Sequence, residues 1–162
     1  MPMYQQQTPP EIREALIAFA KQFNPNYYMT PIFNRSDLSI AASKRMLQTY
    51  IRRLCEKQFG HHYMKNPMIK RFNGVVFLEK SSVHPHFHIP MHVPAEIESK
   101  FKPYAEQLWA KMFKGGDNQL KMIMSDEHLH RAVAYSAKDS LIQTNTENWC
   151  TLCMLYGLPA IS

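Results

Sequence analysis

No stretch of this chain approaches eighteen uninterrupted apolar residues, so no transmembrane helix is expected. The start, MPMYQQQTPPEIREAL, has no basic segment leading into an apolar run, so no secretory signal is expected there. Cysteine is scarce and odd in number, three in all, which fits a reducing cytosol better than a disulfide framework. A cytoplasmic location without membrane attachment is the resulting expectation. Neither GxxxxGK[ST] nor GxGxxG occurs, which leaves no visible nucleotide-binding loop. Internal repeats are absent, and Gln5-Gln6-Gln7 is the only low-complexity tract. Acidic residues are missing from one long stretch: between Lys44 and Arg71, Glu56 stands alone.

That stretch is rich in the opposite charge. It holds Lys44, Arg45, Arg52, Arg53, Lys57, Lys65, Lys70 and Arg71, with His61 and His62 among them. The whole chain carries a formal net charge of +6. Such a cluster attracts polyanions by releasing their counterions. It also occurs as a plain solvated helix face. The 162 residues, 45% hydrophobic and 20% charged, fit one domain with a real core.

Helical and strand patterns alternate along the chain. Thr8-Pro9-Pro10-Glu11 predicts a helix start, followed by Ile12, Ala15, Leu16, Phe19 and Phe23 at helical spacing. Tyr27 to Phe33 is rich in strand formers, and Pro31 predicts an edge or irregular strand. Ser36-Asp37 predicts the start of a long helix buried through Leu47, Tyr50, Ile51 and Leu54. Gly60 to Pro67 reads as a loop. Phe72 to Lys80 and His84 to Val93 predict a hairpin. A helix from Pro94, a strand from Gln119 to Met124, and a helix from Ser125 to about Ser140 complete the pattern, which weakens after Leu141. The fold class expected is α+β: a central antiparallel sheet of four to five strands, with helices mainly on one face.

HPHFHIPMH, residues 84 to 92, holds half of the eight histidines. In a strand, His84, His86, His88 and His92 share one face, while Phe87, Ile89, Met91 and Val93 take the other, the core face. The histidines are then displayed on the sheet. Four protonated imidazoles would repel, and a cation is one physical reason to gather neutral ones. Glu79 directly follows the apolar run Val75-Val76-Phe77-Leu78 on the neighbouring strand. With His86 and His88 it makes a His₂-carboxylate set that leaves coordination positions open for substrate. Surface or hydrogen-bonded histidines are the plainer reading of a bare HxH.

A second constellation lies in SDEHLHRAVAYSAKD, 125 to 139. His128, Arg131, Tyr135 and Lys138 line one helix face, with Leu129, Ala132, Val133 and Ala137 opposite. A tyrosine beside cations suits attack on a phosphate, because cations favour phenolate and phosphoryl charge. An ordinary half-buried tyrosine fits the same spacing.

Together these residues resemble the HUH endonuclease superfamily, most closely its single-tyrosine rolling-circle replication initiators. Tyr28-Met29-Thr30-Pro31-Ile32-Phe33 is similar to the first motif, with Pro31 a departure. His86-Phe87-His88 matches the His-hydrophobic-His motif, and Tyr135-Ser136-Ala137-Lys138 matches YxxK. The resemblance covers roughly residues 26 to 140, the core of a single domain spanning 1 to 162. It implies an RNA-recognition-motif-like, ferredoxin-like sheet. It also implies Mg²⁺ or Mn²⁺ held by Glu79, His86 and His88, and a Tyr135 nucleophile that nicks and rejoins single-stranded DNA through a 5′-phosphotyrosine. Lys138 would then position water or the phosphate. Arg45, Arg52, Arg53, Lys70, Arg71, His128 and Arg131 are the expected DNA contacts; His84 and His92 extend the histidine row beyond the motif pair, and three roles stay open for them: partners behind the ligands, DNA contacts or bystanders. Expected partners are single-stranded DNA or an origin hairpin, with a host helicase and polymerase, because no helicase domain follows. The protein would act as a monomer or dimer.

Three rivals remain. A single-tyrosine transposase shares the motif and the nucleophile. A cupin-like iron enzyme needs Glu three or four residues after HxH, where this chain has Met91 and His92. A basic nucleic-acid-binding sandwich without chemistry explains the charge but not the histidine row. Cys150-x-x-Cys153 lacks the second pair a zinc site needs, so packed cysteines are expected.

Overall fold

A computed structural model describes residues 10–67, 70–80, 85–137 and 149–155. The helices are α1 (Pro10–Lys21), α2 (Ile40–Phe59), α3 (Glu98–Met112), α4 (Asp126–Ser136) and the short α5 (Leu152–Leu155). The strands are β1 (Tyr27–Ile32), β2 (Asn73–Lys80), β3 (Pro85–His92), β4 (Asp117–Met122) and β5 (Trp149–Thr151). The chain is α+β, with one five-stranded antiparallel sheet in the order β4-β1-β3-β2-β5. From β1 to β4 the elements run β-α-β-β-α-β, the split arrangement in which β3 inserts between β1 and β2.

Local chemistry sets the boundaries. The Ser39 hydroxyl accepts the Ala42 N–H at 3.1 Å and caps α2, so this helix begins later than Ser36-Asp37 suggests. Asp37 instead holds Arg35 in the preceding turn, Oδ2 to Nη2 at 2.7 Å. Gly60, with φ of 83°, ends α2 by returning its N–H to the Glu56 carbonyl at 2.8 Å. Ser125 caps α4 as expected, accepting the His128 N–H at 3.1 Å. Past Ala137 the expected extension of α4 lies outside the described residues.

Two expectations about the sheet change. Pro31 does not place β1 at an edge: β1 lies between β3 and β4. Pairing with β3 covers Tyr27 to Met29 and resumes at Ile32↔His86, skipping Thr30 and Pro31, while pairing with β4 is continuous. The missing proline N–H is tolerated where the ladder already lapses. Nor is the sheet covered mainly on one face. Tyr27, Met29, Val76, Leu78, Phe87, Ile89 and Met91 bury against α2 and α3. Val75 and Phe77 bury on the other face against Leu16, Ile17 and Ala20 of α1 and Leu129 and Val133 of α4. The first helix turns Leu16, Ile17 and Ala20 inward and leaves Ile12 41% exposed, a phase the periodic reading missed.

β5 had no sequence signal. Its three residues pair with Val75 to Phe77 and close the sheet on that side. Cys150 packs against the larger core, and burial pushes its thiol pKa up. Among the described residues, no helix is long and apolar enough to cross a membrane.

Candidate active site under helix α4

Strand pairing fixes the face. Phe77 stands opposite His88 and Glu79 opposite His86, so these four side chains share the side on which Phe77 packs. That side lies beneath α1 and α4. His88 is therefore not displayed: it is only 6% exposed. Its Nε2 lies 2.7 Å from Glu79 Oε2, a bond in which the imidazole N–H donates to the carboxylate. Glu79 leans along the diagonal to His88 rather than straight across to His86. A half-buried carboxylate gains a strong partner that way.

The helix above supplies two more groups. Leu129 and Val133 anchor α4 in the smaller core, which leaves Tyr135 at its rim. The Tyr135 ring meets the His88 ring edge to face, 5.6 Å between centroids. It is still 54% exposed, the one exposed aromatic among the described side chains. Tyr28 of β1 stacks on the other side of His88 at 5.9 Å and 26°. The Tyr28 hydroxyl donates to Ser136 Oγ, and that hydroxyl donates to the Ala132 carbonyl at 2.7 Å. Burial raises the Tyr28 pKa far above the usual tyrosine value. The Ser136 bond pulls the other way, and Tyr135 and Glu79 add to the rise. Tyr28 thus stays a neutral donor that ties β1 to α4. The sequence reading quoted Tyr28 only within a motif; its bond to Ser136 spans 108 positions, and no local pattern announces it.

The remaining expected residues fall in several places. His86 is half-buried directly across from Glu79. His92 is held at the far end of β3, its Nδ1 3.1 Å from the Asn24 carbonyl. That bond turns it to a loop rather than to Glu79 and His88. His84 and Lys138 lie outside the described residues. On α4, His128 Nδ1 accepts the Met124 N–H at 3.3 Å, and Arg131 pairs with Glu127 one turn back at 3.7 Å. Arg45, Arg52 and Arg53 are exposed on α2, on the sheet layer opposite Tyr135. Lys70 is exposed ahead of β2. Arg71 is 4% exposed, with Nε and Nη1 buried and making no hydrogen bond. It is a buried side chain rather than a surface contact for DNA, because the chain is already turning into β2.

Glu79 and His88 are the two donors that converge. Their 2.7 Å separation is close to the roughly 3 Å between neighbouring ligands of one octahedral cation. The carboxylate suits Mn²⁺ or Mg²⁺, whereas the imidazole nitrogens favour softer ions such as Zn²⁺. Among the described residues, however, no group of three His, Cys, Asp or Glu side chains closes around a metal position. The expected triad is a converged pair with His86 beside it, because Glu79 has turned to His88. The site thus combines a buried imidazole–carboxylate pair with an accessible phenol against it. No known protein family, curated protein or solved structure matches the chain.

Proposed function

We propose that this protein nicks and rejoins single-stranded DNA through a covalent tyrosine linkage, as a replication initiator does. The observation that carries this reading is the placement of the exposed Tyr135 ring against His88, itself bound to Glu79. The phenol oxygen of Tyr135 forms a bond to phosphorus, the bond from phosphorus to the 3′-oxygen breaks, the phenol proton passes to solvent, and the leaving 3′-oxygen takes a proton from solvent. A 5′-phosphotyrosine and a free 3′-hydroxyl result, and the reverse reaction joins strands. A divalent cation would be held by Glu79 and His88, once His88 Nε2 gives up its proton, with His86 as third donor, and would supply charge stabilisation at the phosphoryl oxygens. Tyr28 and Ser136 hold α4 so that Tyr135 stays beside His88. Lys138 serves the phosphate. A single-tyrosine transposase would use the same groups.

A binding module without chemistry is the second reading, favoured by the arginines of α2, which lie away from Tyr135. The two differ in one experiment. Purified protein is incubated with a randomised single-stranded oligonucleotide library and Mn²⁺, then resolved under denaturing conditions. A covalent adduct that EDTA suppresses, and that Tyr135→Phe lacks, supports the enzyme. No adduct with any part of the library supports the module.

A further inference from the structure

Among the described residues, the sheet ends in two edges of unequal kind. β5 offers three residues and runs straight into α5. β4 offers six, and it pairs with β1 at every position from Asp117 to Met122. It contains no proline, and its unbroken register leaves no bulge, so two common guards of an edge strand are missing. The Ile123 N–H donates to the Asn26 carbonyl at 2.9 Å, on the β1 side. Antiparallel bonding alternates, so the backbone groups of Asp117, Gln119 and Lys121 also turn to β1, while those of Asn118, Leu120 and Met122 turn outward. Side chains alternate too. Lys121 stands opposite Tyr28 and Gln119 opposite Thr30, so Asp117, Gln119 and Lys121 share the α4 side of the sheet, where all three are exposed. Leu120 faces the larger core on the other side.

We infer that the free edge of β4 pairs with β4 of a second copy of this chain, antiparallel, about a two-fold axis at Gln119. Charge complementarity selects this occupant. The edge carries one acid, Asp117, and one base, Lys121, placed symmetrically about Gln119, so it is its own complement. Outward residues must face outward residues, so the axis passes through a residue position. An axis at Lys121 or at Asp117 sets like charges against each other. One at Leu120 sets Lys121 against Gln119 and Asp117 against Ile123. Only the axis at Gln119 sets each Lys121 against the other copy's Asp117, and it does so twice. Lys121, a residue that usually guards an edge, there becomes the match. In this register Asn118 and Leu120 exchange backbone hydrogen bonds with Leu120 and Asn118 of the second copy. Met122, 49% exposed, comes opposite Gly116 of the second copy. The two five-stranded sheets join into one, and the axis, perpendicular to it, leaves both Tyr135 rings on the same side. The pairing does not depend on the chemistry proposed for Tyr135.

The test is sedimentation equilibrium over a concentration series on the full chain and on two variants, Lys121→Asp and Asp117→Lys. The unaltered chain should dimerise. Each variant sets like charges against each other at both pairs, and its self-association should weaken by about tenfold or more. An equimolar mixture of the two restores opposite charges at both pairs, so it should form a mixed dimer at least as tightly as the unaltered chain does. A chain that stays monomeric throughout overturns the proposal, as does a dimer that both variants leave unchanged. Hydrogen exchange on the unaltered chain gives a reading that needs no variant to fold. The Asn118 and Leu120 amides should exchange more slowly as the dimer fills, with α1 unchanged. Fast exchange at both in the dimer overturns the proposal. Slow exchange at both in the monomer overturns it too, because another segment of the chain would then cover the edge.

Discussion

His88 is held from three directions at once. Glu79 fixes its Nε2, Tyr28 stacks on one side and Tyr135 meets its edge. Removing the Tyr28 hydroxyl tests this arrangement. Tyr28→Phe keeps the stacking but leaves Ser136 without its donor, which should destabilise the fold by about 1–2 kcal/mol in urea titrations. It should also slow adduct formation, because α4 loses its tie to β1. The pH dependence has a definite sign. Tyr28 and Tyr50 both have folded pKa values raised above the ordinary 10.0, mainly by burial. Their contribution is whole below that value and declines above it, as the unfolded chain releases protons that the folded one keeps. Unfolding free energy should therefore fall above about pH 10. Tyr28→Phe should flatten that fall, and an unchanged alkaline slope would show that Tyr28 is not the buried donor described. At this scale, strand alternation brought Glu79 and His88 together on paper, and helical spacing singled out Tyr135. Tyr28 and Arg71 were not legible in the same way, because burial and distant partners decide what each does.

Each element around the site has one residue on which its placement turns. Gly74 lies near the start of β2, directly across from Met91 of β3. A Cβ there would meet the Pro90 carbonyl oxygen and come within 2.8 Å of Met91 Cα. Gly74→Ala should force the β2–β3 pair apart and destabilise by about 1–3 kcal/mol, read from thermal melts. On α4, Leu129 is buried in the smaller core, two turns before Tyr135. Leu129→Ala should remove about 2–4 kcal/mol of stability. It should also loosen Tyr135, visible as faster hydrogen exchange through 126–136 at unchanged exchange in α2. The long helices and the β2–β3 hairpin were legible because their periodic patterns extend over many residues. The three residues of β5 are too few to show a pattern, and the interior place of β1 comes from its partners rather than from its own proline.

The whole molecule places its α2 arginines and Tyr135 on opposite sides of one sheet. The larger core under α2 and α3 backs an arginine face, and the smaller core under α1 and α4 backs the tyrosine and its histidine. A count of charges along the chain could not reveal that separation, since it required knowing which face each helix covers. The α+β class and the antiparallel sheet did follow from element order. The central claim is that Tyr135 is the group that joins DNA. Its most direct measurement is mass spectrometry of the tryptic peptide Ala132 to Lys138 after reaction with a single-stranded oligonucleotide in Mn²⁺. A nucleotide attached through phosphate to Tyr135 within that peptide is the expected result. A nucleotide on any other residue would contradict the claim.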